Sequence, residues 1–282
     1  DARIVFLGDD KQLPCVGRGS AFRDVVAFFG DALNQRLVRC MRTSAAGITA
    51  AADAILEARV PQATEDVVLV PCADPLQALG TIVPIGTEVQ LIVGENRHVK
   101  RLNQLVQAHL RRGGASVRAK GNQVCFVDDV VRTVDNKLPL YMNGDVGVVR
   151  NIVDAPWGAG GKRPKKVVAT LRITRATGNS IVDVPELDLE PAYACTVHRV
   201  QGSEFDTVVV VLFGDMSRFQ KIRELVYTAA TRAKRKLYFV GTLDVIKQLR
   251  FSDRKTLRCL LGRELLKGRD LQHDDERPRT PP

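Results

Sequence analysis

Apolar residues fall along this chain in two different rhythms. Residues 1–112 alternate short apolar runs with amphipathic stretches. Residues 67–70 (VVLV) and 89–93 (VQLIV) have the length and β-branched content of strands. Residues 98–112 carry Val99, Leu102, Leu105, Val106 and Leu110 along one side of a helix. The opening run at residues 4–7 (IVFL) is continuous and bounded by a turn, which predicts a core strand buried on both faces. Such alternation predicts parallel α/β packing. Residues 116–188 follow another rhythm. VCFVDDVVRT (124–133), NGDVGVVRNIVD (143–154), KVVATLRIT (166–174) and SIVDV (180–184) read as short strands between Asn-Gly, Gly-rich and Pro turns, without helical periodicity. They predict a small all-β module, a barrel, set between two halves of an α/β domain. The α/β rhythm returns at Pro191 and lasts to about residue 266, and the polar, Pro-rich tail at 267–282 is expected to be disordered.

Composition narrows the partners more than the fold. A chain of 282 residues, 45% hydrophobic and 26% charged, is long enough for one large or two smaller domains, each with a core. The longest apolar candidate, residues 208–213, is strand-sized, so no membrane span is expected, and the first residues lack a basic-then-apolar signal pattern. Six cysteines stand singly, with no Cys-x-x-Cys pair and no His at ligand spacing. That argues against zinc and a disulfide framework, and predicts an intracellular, reducing compartment, cytoplasm or nucleus. The net charge of +10 favours a polyanionic partner.

Chemistry concentrates in a few stretches. In GDDKQLPCVG (8–17) a predicted core strand ends in carboxylates, a lysine and a glutamine, at the carboxyl end where open α/β sheets bind ligands. In PAYACTVHRVQGSEFDTVVVVLF (191–213), Pro191 suits the start of a helix with Tyr193, Thr196 or Val197, and Val200 on one face, His198 and Gln201 on another, and Gly202 as C-cap. A buried strand at 208–213 follows. The helix end would present Thr196, His198, Arg199, Gln201, Ser203 and Glu204 together, a donor set suited to phosphate and ribose. In ELVYTAATRAKRKLYFVG (224–241), Thr228 and Arg232 lie four apart on a helix face, with Leu225, Val226 and Ala229 packing and a strand expected at 237–240. A guanidinium there stays ionised and binds phosphate oxygens as a fork. Lys162, Arg163, Lys165, Lys166, Arg172 and Arg175 form the densest positive patch, either a solvated hairpin or a nucleic-acid contact, with Trp157 and Tyr141 as nearby stacking candidates.

Taken in order, these stretches resemble motifs III, V and VI of superfamily 1 helicases, most closely the RecD-like branch: GDDKQLPCVG, TVHRVQGSEF and YTAATRAK. LVRCMRT (37–43) sits where motif IV falls, with Arg42 at its arginine, and the β module with its NGDVG turn is similar to the small barrel that RecD-like proteins insert into their second RecA-like domain. The resemblance implies residues 1–30 as the end of a first RecA-like domain, 31–115 and 191–266 as the second, and 116–190 as the inserted barrel. It implies that Gln12 senses the γ-phosphate of ATP, that Asp9 couples that site to the DNA groove, and that Arg42 and Arg232 reach the nucleotide from the second domain. Gly202 and Glu204 would lie near its sugar and phosphates. Thr196, His198 and Arg199 would touch single-stranded DNA, and Lys162, Arg163, Lys165 and Lys166 the strand or the duplex at a fork. Cys15, Thr43 and Arg199 depart from the family pattern, which has Pro or Ser, Gln and Lys there.

No stretch fits G-x-x-x-x-G-K-[ST]; GAGGKR (158–163) lacks the first Gly, at Pro156, and the final hydroxyl, at Arg163. The only Asp-Glu pair, Asp275 and Glu276, lies in the tail, so the Mg²⁺-binding acidic motif is missing too. The family places both before motif III. The expectation is therefore the C-terminal motor part of an ATP-dependent 5′-to-3′ DNA helicase, inactive in ATP hydrolysis by itself, with replication or recombination proteins as further partners and no membrane. The alternative is a non-catalytic nucleic-acid-binding or regulatory subunit that kept the fold and lost the phosphate loop.

Overall fold

A computed structural model of the protein describes residues 4–13, 21–30, 35, 37, 43–81, 83, 85–154, 167–175, 178–216 and 222–250. Its helices are α1 (Ala21–Phe29), α2 (Ala46–Leu56), α3 (Pro75–Ala78), α4 (Asn96–His109) and α5 (Arg223–Ala230). Its strands are β1 (Val67–Pro71), β2 (Val89–Val93), β3 (Ser116–Ala119), β4 (Gln123–Phe126), β5 (Val130–Thr133), β6 (Val146–Asp154), β7 (Val167–Arg175), β8 (Gly178–Pro185), β9 (Leu189–Pro191), β10 (Ala194–Thr196), β11 (Phe205–Leu212) and β12 (Ala233–Gly241).

The run of valines in β11 explains the centre of the molecule. Val208, Val209, Val210 and Val211 are all buried, as a strand covered on both faces requires. β11 lies in a five-stranded sheet of order β1-β12-β11-β2-β10, and every pairing in it is parallel. Ile48 and Ile55 of α2, Leu102 and Val106 of α4, and Leu225 and Val226 of α5 close over it. Each such side chain contributes about 1.5–3 kcal/mol on burial. Gly241 ends β12 at φ +118, where a Cβ would stand 2.0 Å from the Leu212 carbonyl oxygen. Only glycine lets β12 run that close to β11.

The elements between α4 and β10 pair antiparallel. β3 and β4 form a hairpin, and β8-β7-β6-β5-β9 form a separate five-stranded sheet. Val117 and Cys125 of the hairpin share a second core with Val131, Tyr141, Val149, Leu171 and Leu189.

The predicted strands at 67–70, 89–93, 143–154, 166–174 and 180–184 and the helix at 98–112 all stand within a residue or a few of their expected places. Three expectations change. Residues 4–7 form no strand, and Ile4 and Leu7 are 77% and 85% exposed. A core strand needs ladder partners, and no described strand pairs with this run. The expected single strand at 124–133 breaks into β4 and β5, because Asp128 turns left-handed at φ +65 and Asp129 folds inward. The helix expected from Pro191 is instead the end of β9, then β10, then a 3₁₀ turn at Val197–Val200. Tyr193, Ala194, Cys195, Thr196 and Val197 are buried in succession, which an amphipathic helix cannot do. β10 satisfies their backbone against β2, and Asn103 of α4 grips Ala194 from both sides, its Oδ1 accepting from the Ala194 amide at 2.7 Å and its Nδ2 donating to the Ala194 carbonyl at 3.4 Å. Gly202 follows that turn at φ +91, so it reverses a loop and caps no α-helix.

Candidate functional site

At the amino ends of the parallel strands, the segments around Gln12, Ser203 and Arg232 meet. Asp9 braces the first turn: its Oδ1 accepts from the Lys11 amide at 2.9 Å, and its Oδ2 accepts from Gln12 Nε2 at 3.0 Å and from the Tyr227 hydroxyl of α5 at 3.2 Å. Leu13, buried in the first core, is held on both sides. Its amide donates to Thr228 Oγ1 at 2.8 Å, and its carbonyl accepts from Gln201 Nε2 at 3.0 Å. Arg23 of α1 adds a tie, donating to the Asp10 carbonyl at 2.7 Å and pairing at 3.2 Å with the buried Glu224.

Arg232 stands just past α5 and is 1% exposed. Its Nε donates to the Thr228 carbonyl at 3.0 Å, Nη1 to the Ser203 carbonyl at 3.3 Å, and Nη2 to Gln12 Oε1 and Thr231 Oγ1, each at 3.3 Å. A planar fork of donors thus spans the three segments at once. Gln12 and Arg232, far apart in sequence, are brought into direct contact. The guanidinium is seated on protein acceptors, whereas the sequence pattern suggested one held out from a helix end.

Beside this junction the amino ends of β1, β2, β11 and β12 border a groove of about 760 Å³, lined by Ser44, Glu65, Glu88, Asp206, Lys234 and Arg235 among others. Glu204 pairs with one of these lining residues, 3.5 Å from Lys234 Nζ. Thr43, next after Arg42, donates to the Lys234 carbonyl at 2.6 Å, so that segment reaches the same edge. Arg42 itself lies outside the described residues, as do Lys162, Arg163, Lys165, Lys166 and Trp157. Tyr141 is buried and donates to Asp188 at 2.8 Å, a packing role with no face left for stacking.

The opposite, carboxyl edge carries the other expected residues. Thr196 ends β10 opposite Val93, while Thr207 of β11 lies opposite Val89. Residues 197–204 therefore run back along the sheet and join its two edges. His198 and Arg199 are exposed on that segment, but Thr196 is only 6% exposed, which corrects its placing at a helix end with the donor cluster: β10, at the sheet's edge, is buried beside α4. Arg199 pairs with Glu190, and burial together with the neighbouring Arg132 guanidinium pushes its pKa down.

Sequence reasoning missed Arg132, buried in β5 beside Cys195 and Arg199. A single arginine inside VVRT gave no periodic cue. It also missed Arg97 and His98, which open α4 directly after β2; that position, at a strand's carboxyl end, was the available signal. Arg97 pairs with Asp215 at 3.1 Å, and His98 stacks on Phe213 with ring centroids 3.7 Å apart. Among the described residues, no group of three or more His, Cys, Asp or Glu side chains is placed to hold a metal ion.

Residues 191–240 match the UvrD-like helicase C-terminal domain. The RecBCD enzyme subunit RecD of Mycolicibacterium smegmatis is 32% identical over 271 residues, covering 85% of this chain and 45% of the relative. The ATP-dependent RecD2 DNA helicase of Deinococcus radiodurans is 26% identical over 254 residues, covering 86% of this chain and 33% of the relative. The chain thus spans less than half the length of either. A crystal structure of Pif1 helicase from Bacteroides in complex with ADP-AlF3 and ssDNA shares the fold, with a TM-score of 0.53 at 17% identity over 95% of this chain and 66% of that one. The chain is homologous to superfamily 1 helicases of the RecD type, with a match to the UvrD-like helicase C-terminal domain over residues 191–240.

Proposed function

We propose that this chain is the C-terminal motor portion of an ATP-dependent DNA helicase that moves 5′ to 3′ on single-stranded DNA and unwinds duplex. The observation that carries the reading is the junction at Arg232, where one guanidinium touches Gln12, Ser203 and the end of α5. A binding module has no use for such a convergence. A motor does, because a group that leaves protein acceptors for phosphate oxygens couples nucleotide state to the seating of residues 8–13 on α5. In this reading the α/β core is the second RecA-like domain and the antiparallel module is its inserted barrel. Residues 1–30 belong to the first domain.

Roles follow from the two edges. At the amino edge, Gln12 senses the γ-phosphate, and Arg232 and Arg42 stabilise the charge that spreads over the transferring phosphoryl oxygens. Gly202 and Glu204 sit by the sugar and phosphates. At the carboxyl edge, the exposed His198 and Arg199 contact the strand's backbone, which carries no sequence information, while Thr196 holds β10 in the core beneath them. Lys162, Arg163, Lys165 and Lys166 add phosphate contacts in strand or fork. The donor set fits one side of a triphosphate; no Mg²⁺ ligand is assigned to this chain. The RecD2 relative's name and the nucleotide and DNA in the Pif1 complex support the same substrates.

The test is directional unwinding by the intact protein with ATP. Partial duplexes with a 5′ single-stranded tail should open and those with a 3′ tail should not. Opening of the 3′-tailed substrate alone would refute the polarity, and failure of both with no DNA-stimulated hydrolysis would refute the motor.

A further inference from the structure

The antiparallel module leaves the parallel-sheet core after α4 and returns to it through residues 191–194, so two passages of chain join them. Both passages converge on one carboxylate. Asp129 lies between β4 and β5 and is fully buried. Its Oδ2 accepts from Gln107 Nε2 of α4 at 2.6 Å and from the Phe126 amide at 2.8 Å. Its Oδ1 accepts from the Tyr193 hydroxyl at 2.8 Å, with Arg112 Nε at 3.4 Å as an ion pair. The Tyr193 hydroxyl in turn accepts from the Val130 amide at 3.2 Å, and Arg112 Nη2 donates to the Asp128 carbonyl at 2.8 Å. One side chain therefore ties the outgoing helix, the start of the module and the returning segment.

A buried carboxylate that answers only donors is a costly way to fill space. Burial pushes the Asp129 carboxyl up, and the donors of Phe126, Tyr193 and Gln107 and the Arg112 charge pull it back. An apolar contact would bind the two sheets with less penalty but without fixing an angle, since apolar contacts are not directional. Three hydrogen bonds and an ion pair, arriving from four directions, do fix it. Tyr193 also stands three residues before Thr196, and its carbonyl accepts from the Leu91 amide of β2 at 3.0 Å. What holds the tyrosine ring therefore also sets β10 against β2.

We propose that Asp129 is a positioning residue that locks the antiparallel module to the parallel sheet as one body and seats β10 through Tyr193. The inference rests on the helicase reading for its consequence alone: displacement of the parallel sheet reaches the module, and so the duplex, without slack. Loss of the joint should then uncouple unwinding from hydrolysis.

Two variants test it. Asp129→Asn keeps the shape and turns an amide nitrogen toward donors, while Tyr193→Phe keeps the packed ring and deletes only the hydroxyl. Hydrogen exchange in each should accelerate at the amides of Phe126 or Val130 and, together with them, at 194–196. The expected change is at least about tenfold, with Val149 and Leu171 still protected. In the intact protein, DNA-stimulated hydrolysis should stay within about twofold while base pairs opened per ATP fall at least about fivefold. Exchange that quickens at 126–130 but leaves 194–196 unchanged in both variants overturns the proposal. So do equal losses of hydrolysis and unwinding, the mark of a residue that only stabilises the fold. A wild-type protein that hydrolyses no ATP would defeat the helicase reading and not the joint, which the exchange measurement judges separately.

Discussion

Thr228→Val tests how residues 8–13 are delivered to Arg232. The side chains are nearly isosteric, so the change deletes one oxygen from a fully buried position on α5 and leaves the packing in place. That oxygen accepts the Leu13 amide at 2.8 Å. Leu13 is itself buried, so water cannot take over the bond. A buried donor left without its acceptor costs about 1–3 kcal/mol. The leucine side chain stays in the core, and Gln201 still donates to the Leu13 carbonyl, so the turn should remain docked but open more often. With each 1.4 kcal/mol worth about tenfold, exchange of the Leu13 amide should rise about 5- to 150-fold. Global stability to urea should fall by no more than the same about 1–3 kcal/mol. Thr228→Ser, which keeps the hydroxyl, should leave Leu13 exchange near the wild-type rate. The assay is amide exchange read by mass spectrometry at single-residue resolution. Unchanged Leu13 exchange in the valine variant would refute the docking and, with it, the delivery of Gln12 to Arg232.

Further predictions concern other parts of the molecule. Burial against Phe213 holds the His98 pKa below the ordinary 6.5, against the pull of Asp215. The unfolded chain then binds the proton more readily, so stability rises with pH through this window and is lost as pH falls from 6.5 toward the depressed value. Between about pH 7.5 and about pH 5.5 the thermal midpoint of the wild type should drop more than that of His98→Phe, and equal drops would remove the histidine from the account. Burial pushes the Cys195 thiol up to about 11 and the Cys125 thiol higher still, whereas Cys72 is only half-buried. Alkylation of the native protein near neutral pH, followed by peptide mapping, should modify Cys72 at least about tenfold faster than the other two. Equal rates would contradict the packing of β4 and β10. Gly241→Ala should cost more than about 2 kcal/mol in urea unfolding, since a positive φ and a clash with the Leu212 carbonyl combine; a neutral effect would mean that β12 ends differently.

The sequence carried some of this plainly and hid the rest for identifiable reasons. Helix α4 and strands β2 and β11 could be read from spacing because their burial is either one-sided or continuous. The segment from Pro191 misled because Tyr193, Val197 and Val200 do fall at helical spacing. What decided its form was the neighbour: β2 offers Leu91 to Val93 as ladder partners and buries Ala194, Cys195 and Thr196 as well. Residues 4–7 looked like core because an apolar run does not say whether a partner strand lies beside it. The family resemblance already brought Gln12 and Arg232 together, but no local pattern disclosed the contacts that join them. Thr228 and Leu13 are 215 positions apart, and no local pattern pairs them. Asp129 and Arg132 were the least legible. In a strand, a charge reads as a break in the apolar pattern until the groups answering it from elsewhere are known.

The measurement that bears most directly on a motor role is steady-state ATP hydrolysis by the intact protein carrying Arg232→Lys, with saturating single-stranded DNA and parallel binding of a fluorescent nucleotide. Lysine keeps the charge and loses the fork that reaches Thr228, Ser203 and Gln12. Arginines that stabilise phosphoryl transfer contribute about 10³–10⁵ in rate. Arg235→Ala serves as control, because that side chain is exposed and only 3.9 Å from Asp206, a surface pair worth about 0–1 kcal/mol. The expected result is a loss of at least about a hundredfold in turnover for Arg232→Lys, with nucleotide affinity within about threefold and Arg235→Ala near wild type. Turnover by Arg232→Lys that matches the Arg235→Ala control would contradict a catalytic role for the junction at Arg232.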